Sequence, residues 1–281
     1  MLVTNDVALI AFVPFTCSLL QRDDQRKILL RIVVIEAAAA NLGSMATPIG
    51  NPQNLYLYST YSFSLGTFFK TILPIVGISY IGLLFSLLLI PQQPLAAEIP
   101  TESHLPLSAQ KKNLIIYSIL GVVCLTTVAG LVTHVVCFCV VLLGIIVTDR
   151  ALIRRVDWEL LLTFVCFFLF SGNLQQIESV RNLMMQGLSG GVCLTAALVS
   201  QVISNVPAAV LLSGFTEQGK ELLMGVDIGG LGTPIASLAS LIAYQYYAKS
   251  KLANPAKYLQ FFFIYQFIGL FLLLAIKFIM L

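Results

Sequence analysis

Apolar positions along this chain gather into runs close to the length a membrane-crossing helix needs, about 20 residues. Runs over 32–58, 71–90, 113–130, 133–148, 157–171, 187–215, 222–246 and 258–280 predict spanning segments. The piece 7–20 is equally apolar but short for a span. Residues 91–112, PQQPLAAEIPTESHLPLSAQKK, hold four prolines and most of the mid-chain polarity. They read as a linker that divides the chain into two unequal parts.

Inside the apolar runs lie four polar interruptions rich in Gly or Pro, and they form two pairs. The first pair is TNDVALIAFVPF, from Thr4, and GSMATPIGNPQN, from Gly43. The second is SNVPAAVLLSGF, from Ser204, and DIGGLGTPIASLAS, from Asp227. Each part therefore carries a hydroxyl–Asn tip (Thr4–Asn5, Ser204–Asn205), then a Thr-Pro-Ile break (Thr47–Pro48, Thr233–Pro234). Short polar side chains at such tips satisfy backbone groups freed where half-helices meet, and they present oxygens to a cation or donors to an anion. Pro48 and Pro234 each remove an N–H, so each long segment is expected to split. Half-helix N-termini then favour anions and C-terminal carbonyls favour cations. Taken singly, a Pro is a kink and an Asn an interhelical hydrogen bond. Four interruptions matched in type and order point instead to paired discontinuous helices, the sequence mark of a secondary transporter's site.

Composition agrees. The chain is 58% hydrophobic and 10% charged, with a mean hydropathy of +0.92, whereas soluble domains carry about 25% charged residues. An integral membrane protein follows. The opening run lacks the basic region and small-residue cleavage site of a signal peptide and carries Asn5 and Asp6 within it. Basic residues cluster at Arg22–Arg31, Lys111–Lys112, Arg150–Arg155 and Lys249–Lys257, leaving only Lys70, Arg181, Lys220 and Lys277 elsewhere. That is 12 of 16 on one side, as the positive-inside rule expects, provided 187–215 enters and leaves on the same side as a re-entrant hairpin. Segment 32–58 then starts inside and 222–246 ends inside, so the two parts run in opposite directions, as inverted repeats do.

Catalysis and metal binding find little support. There is no H-E-x-x-H, no Ser/His/Asp set and no C-x-x-C; the six cysteines lie in apolar segments and read as packing residues. No nucleic-acid platform is apparent, and the aromatic-rich segment ends NLYLYSTYSF and YQYY read as an interface belt.

On TND, SNV, TPIGNPQN and GGLGTPIASLAS the chain resembles the ion transporter superfamily, in its citrate-transporter-like branch, which includes divalent-anion/sodium symporters, arsenite efflux pumps and sodium/proton antiporters. The resemblance runs along nearly the whole chain. It implies an all-α polytopic fold: an inverted-repeat secondary transporter with re-entrant hairpins and two broken transmembrane helices. It further implies one half-site from Thr4 and Asn5 with Thr47–Asn51 and another from Ser204 and Asn205 with Gly232–Ser237. Substrate contacts are expected from Thr4, Asn5, Thr47, Pro48, Gly50, Asn51, Ser204, Asn205, Thr233, Pro234 and Ser237. Coupling-ion or proton contacts are expected from Asn5, Asp6, Asn205 and Asp227. No cofactor is implied beyond Na⁺ or H⁺, and no metal beyond Na⁺. The transport unit of such proteins moves against a scaffold, usually within a homodimer. Asp6 stands where the dicarboxylate signature has Thr, which resembles the arsenite-pump and antiporter side more closely. Family members also carry helices before the first tip, so the first repeat is expected to be incomplete: 1–90 as its C-terminal part, 91–112 as a cytoplasmic linker, and 113–281 as a complete second repeat.

Other charged residues admit two readings each. Asp227 is either a helix N-cap ahead of Gly229–Gly230 or part of the second half-site. Glu36 either pairs with a neighbouring Arg or lies on a proton path. Glu178, Arg181, Glu217, Lys220 and Glu221 read as outer-loop charges, and Lys277 as a snorkelling lysine. The expected function is H⁺- or Na⁺-coupled transport of a small inorganic or carboxylate anion by alternating access, in the inner membrane of a prokaryote. The alternatives are a sodium/proton antiporter and a truncated, non-transporting membrane remnant.

Overall fold

The computed structural model describes residues 4–91, 107–154, 156 and 158–280. Among them every regular element is helical. The linker expected over 91–112 lies outside the described residues for 92–106, and 107–112 already belong to a helix. The chain divides into two compact units, residues 1–98 with 166–281 and residues 99–165.

The first unit contains α1 (Asn5–Leu19), α2 (Arg26–Ser44), α3 (Pro52–Thr60), α4 (Leu65–Leu88), the end of α8 (Trp158–Leu174), α9 (Glu178–Ser189), α10 (Val192–Ile203), α11 (Asn205–Ser213), α12 (Gly219–Ile228), α13 (Leu238–Ala248) and α14 (Pro255–Met280). Leu65–Leu88 and Pro255–Ile279 are continuous and apolar enough to cross a bilayer. At 1.5 Å per residue, the 24 residues of α4 rise about 36 Å, against a hydrocarbon core of about 30 Å. Their outward faces expose Tyr80, Ile81, Phe85, Ile264, Ile268 and Phe271, surfaces suited to lipid. Three of the apolar runs are instead broken. Run 32–58 is α2 and α3 with a non-helical break at 45–51. Run 187–215 bends at Gly190–Gly191 and again at Ser204, and run 222–246 is α12, a 3₁₀ turn (Pro234–Ala236) and α13.

The breaks have local causes. After α2, the chain folds back so tightly that a methyl group on Gly50 would lie 2.0 Å from the Ser44 carbonyl oxygen. Asn51 then caps α3 by accepting the Asn54 N–H (2.9 Å), with Pro52 at the first helical position, where its missing N–H costs nothing. In the second break Gly232 adopts φ +106°, and a methyl group there would lie 2.2 Å from Gln201 Oε1. Thr233 caps the following turn through the Ala236 N–H (3.2 Å).

Small residues let these short helices approach closely, as interfaces within membranes require. The stretch Gly225-Val-Asp-Ile-Gly229 lays α12 on α10: methyl groups on the two glycines would lie 2.5 Å from Cys193 O and 2.8 Å from Ala197 Cα. Two apolar cores result. One gathers α1, α2, α13 and α14 around Leu9, Val13, Val33, Ala243, Tyr247 and Tyr258. The other gathers α2, α3, α4, α10, α11, α12 and α14 around Leu42, Phe68, Ala197, Ala208, Leu212 and Val226.

The contacts repeat with exchanged partners. Helix α1 follows the first tip and packs on α2 and α13, which also pack on each other. Helix α11 follows the second tip and packs on α12 and α3, which likewise pack on each other. Each hairpin arm thus touches the first half of its own broken helix and the second half of the other one. Helices α10 and α11 also pack side by side, closing a hairpin at Ser204.

The second unit contains α5 (Leu107–Val128), α6 (His134–Thr148) and the short α7 (Ala151–Arg154). Helices α5 and α6 pack together, with Cys124 and Cys137 Sγ atoms 3.9 Å apart and Leu120 filling the space beside Gly144. Both cysteines are free thiols.

Candidate functional site

The two tips reach the two breaks at equivalent points. The Asn5 backbone N–H donates to Gly50 O (3.2 Å), and the Ser204 hydroxyl donates to Ala236 O (3.4 Å). Gly50 and Ala236 are each the third residue after the Thr of Thr-Pro-Ile. Ser204 holds φ +74° and ψ 154°, a positive-φ conformation that costs a non-glycine residue about 1–3 kcal/mol and is held here between α10 and α11.

Six residues before each Thr stands a buried polar side chain: Asn41 before Thr47 and Asp227 before Thr233. Each is bound mainly by the opposite half. Asn41 Oδ1 accepts from Ser237 Oγ (2.7 Å) and from Asn5 Nδ2 (3.4 Å), while Asn41 Nδ2 donates to Gly230 O and Ser240 Oγ (3.3 Å each). Asp227 Oδ1 accepts from Asn51 Nδ2 (3.3 Å) and Gln53 Nε2 (3.4 Å). Ser237 and Asn51 are themselves equivalent, each four residues after its Thr. The two nodes join: Asn51 Nδ2 also donates to Ser44 Oγ (3.3 Å), and Ser44 Oγ donates to Asn41 O (2.7 Å). A continuous hydrogen-bonded chain therefore runs from Ser237 through Asn41, Ser44 and Asn51 to Asp227. Its members are at most 4% exposed. Buried polar groups are tolerated when so paired, and the pairing fixes their geometry.

Of the residues singled out from sequence, this chain and its immediate neighbours unite Asn5, Gly50, Asn51, Ser237 and Asp227. Asn205 is buried beside them: a methyl group on Gly230 would lie 3.0 Å from Asn205 Nδ2. Ser204 and Thr4 flank the tips, and the Thr4 carbonyl begins α1 by accepting from Ala8 N (3.1 Å). Pro48 and Pro234 shape the breaks. Thr233 is committed to Gln201, its N–H donating to Gln201 Oε1 (2.8 Å) and its hydroxyl to Gln201 O (3.0 Å). Thr47 accepts from Gly50 N (3.1 Å) through its carbonyl. Asp6 is buried on the first turn of α1, with its Oδ1 lacking a partner among the described residues. Its backbone N–H donates to Asn5 Oδ1 (3.0 Å), beside the network.

Two readings need correction. Asp227 is not an N-cap; it lies in the last turn of α12, where glycines end the helix rather than precede it. A carboxylate at that end opposes the helix dipole, so the amides of Asn51 and Gln53 compensate it. Its Oδ2 has no partner among the described residues. Glu36 is paired not with an Arg but with the Thr16 hydroxyl, which donates to Oε1.

Three residues with no role assigned from sequence complete the site. Asn41 was detectable from its register with Asp227. Gln53, two residues after Asn51, had no such signal, its counterpart being Ala239. Gln201 knits α10 to the second break, its Nε2 donating to Gly229 O and Leu231 O (2.9 Å each). Among the described residues no group of three or more His, Cys, Asp or Glu could hold a metal.

Two interlocked halves, each presenting a hairpin tip to a broken helix with buried polar nodes between them, form an all-α polytopic fold of the kind built around paired discontinuous helices. Comparison with known proteins narrows the class. The citrate transporter family profile matches residues 1–217, and the chain belongs to that family. An uncharacterized transporter of Methanocaldococcus jannaschii, MJ0456, is 33% identical over 242 residues, covering 86% of this chain and 65% of that protein. The inner membrane protein YbiR of Escherichia coli K12 is 34% identical over 256 residues, covering 85% and 64%. The chain thus spans just under two thirds of the length of these relatives.

Proposed function

We propose that the chain carries a small inorganic or carboxylate anion across the membrane, coupled to H⁺ or Na⁺, by alternating access between two inverted repeats. The observation that supports this best is the reciprocal bonding of the two nodes. Because Asn41 is held by Ser237 and Asp227 by Asn51, the two breaks are fixed beside each other with the tips at Asn5 and Asn205 against them. Carbonyl oxygens and carboxylates at such a place suit a proton or Na⁺, and the amide donors of Asn5 and Asn205, with the N-termini of α3 and α13, suit an anion. In this reading Asp6 and Asp227 take up the coupling cation, and its charge offsets theirs before the anion enters. Thr4, Thr47, Pro48, Gly50, Ser204, Thr233 and Pro234 set the walls. The setting is a homodimer in the inner membrane of a prokaryote.

A second reading, a sodium/proton antiporter, is favoured by Asp6 and Asp227, each with one carboxylate oxygen unpaired among the described residues. Flux in proteoliposomes tests both. Anion uptake driven by a proton or sodium gradient, lost in Asn205→Ala and in Asp227→Asn, supports the first. Sodium-dependent proton movement without anion, lost in Asp6→Asn and Asp227→Asn, supports the second. Normal flux in Asn205→Ala and Thr233→Ala would remove the site assignment.

A further inference from the structure

Four cations fall outside the clusters that define the inner side: Lys70, Arg181, Lys220 and Lys277. Three of them line one cavity of 270 Å³ at the start of α4, the start of α12 and the end of α14. Its remaining walls are Thr71, Pro74, Ile75, Glu221 and Met224. Lys277 was expected to snorkel, and Lys220 and Glu221 to be ordinary outer-loop charges. Instead, Lys277 forms an ion pair with Glu221 and is only 11% exposed at its side chain. That pair braces α14 against the first turn of α12. Lys70 and Lys220 are exposed and have no ion-pair partner among the described residues.

Three lysines against one glutamate leave an excess of two positive charges in a concave site with an apolar floor. The N-terminus of α12 adds its partial positive charge. An excess of this kind on the face that the positive-inside rule leaves poor in cations has no topological cause. The cavity also sits at the N-terminal end of α4 and the C-terminal end of α14, the two helices among the described residues that are long and apolar enough to cross a bilayer. We infer that this cavity is a phosphate-type oxyanion site on the outer face, separate from the network around Asn41 and Asp227. Lys70 and Lys220 bind the oxyanion directly, and the Lys277–Glu221 pair holds the cavity open between α12 and α14. Two sources share this chemistry, the headgroup of an anionic phospholipid and free phosphate. Pro74, Ile75 and Met224 at the floor suit the glycerol end of a lipid.

The test uses the purified full chain in neutral detergent. Its unfolding temperature is measured against phosphatidylglycerol, phosphatidylcholine and inorganic phosphate, and retained lipid is counted by native mass spectrometry. Phosphatidylglycerol, but not phosphatidylcholine, is expected to stabilise the parent. Lys70→Gln and Lys220→Gln are each expected to raise the half-saturating concentration roughly tenfold, as for loss of one charge-assisted hydrogen bond. The double Lys70→Arg, Lys220→Arg variant keeps the charge and should retain binding. Lys249→Gln with Lys251→Gln, on the opposite face, should bind like the parent. Stabilisation by phosphatidylglycerol alone assigns the headgroup, and equal stabilisation by inorganic phosphate assigns a free oxyanion. No anion-dependent shift in the parent would overturn the inference. So would unchanged binding in both Gln variants, or an equal loss in the Lys249/Lys251 control.

Discussion

Asn41→Ala is the sharpest probe of the site, because one side chain carries four hydrogen bonds, three of which cross between the two halves. The substitution removes the acceptor of Ser237 Oγ and Asn5 Nδ2 and the donor to Gly230 O and Ser240 Oγ. Asn41 is 4% exposed and Ser237 1%, so water does not freely replace what is lost. Each such bond is worth about 0.5–1.5 kcal/mol net, and the shorter Ser237 contact belongs at the upper end. Allowing for non-additivity within one network, the loss comes to about 2–4 kcal/mol. At about 2–4 °C per kcal/mol for a chain of this size, the unfolding temperature in detergent should fall by about 4–16 °C. A double-mutant cycle separates this from a packing defect. Asn41→Ala and Ser237→Ala should couple by about 1 kcal/mol, whereas Asn41→Ala and Ser79→Ala, whose hydroxyl bonds within α4, should add. An additive Asn41/Ser237 cycle, or an Asn41→Ala protein as stable as the parent, would refute the reciprocal bracing.

Two further outcomes follow from the breaks. Gly50→Ala sets a methyl group against the Ser44 carbonyl, a backbone atom that cannot rotate away. It should cost about 3 kcal/mol or more by overpacking, read as poor expression and a lowered unfolding temperature, while Gly77→Ala in open space should be silent. Gln201→Leu leaves Gly229 O, Leu231 O and the Thr233 N–H without the partners they have. Hydrogen exchange at 229–236 should quicken by roughly tenfold or more, with helices α4 and α14 unchanged, as expected for local rather than global opening.

The broken helices were readable because Gly, Pro, Thr and Asn punctuate runs that otherwise lack polarity, and the continuous spans α4 and α14 because nothing polar interrupts them. The eight-run count did not translate into eight straight helices. Runs 32–58, 187–215 and 222–246 satisfy hydropathy over their whole length, yet their breaks turn the backbone where Gly50, Ser204 and Gly232 sit. Asn41 and Gln201 were harder to see. A single polar residue inside an apolar helix gains meaning only when a break is folded against it, and Gln201, part of the polar interruption that marks the hairpin, gave no sign of what its amide holds. The N-cap alternative for Asp227 arose because glycines on its C-terminal side suit either a helix start or a helix end. The lysines of the outer cavity were ordinary one by one, and only the approach of α4, α12 and α14 made them a group.

The exchange of partners between the halves also bears on how the protein is made. Asn41 and Ser237 are 196 residues apart in sequence. At the usual synthesis rate of about 5–20 residues per second, ribosomes need roughly 10–40 s to supply the second after the first. Through that interval Asn41 has only Asn5 among its side-chain partners, and Asn51 lacks Asp227. The nodes around Asn41 and Asp227 are therefore completed only when α12 and α13 join the helices made before them.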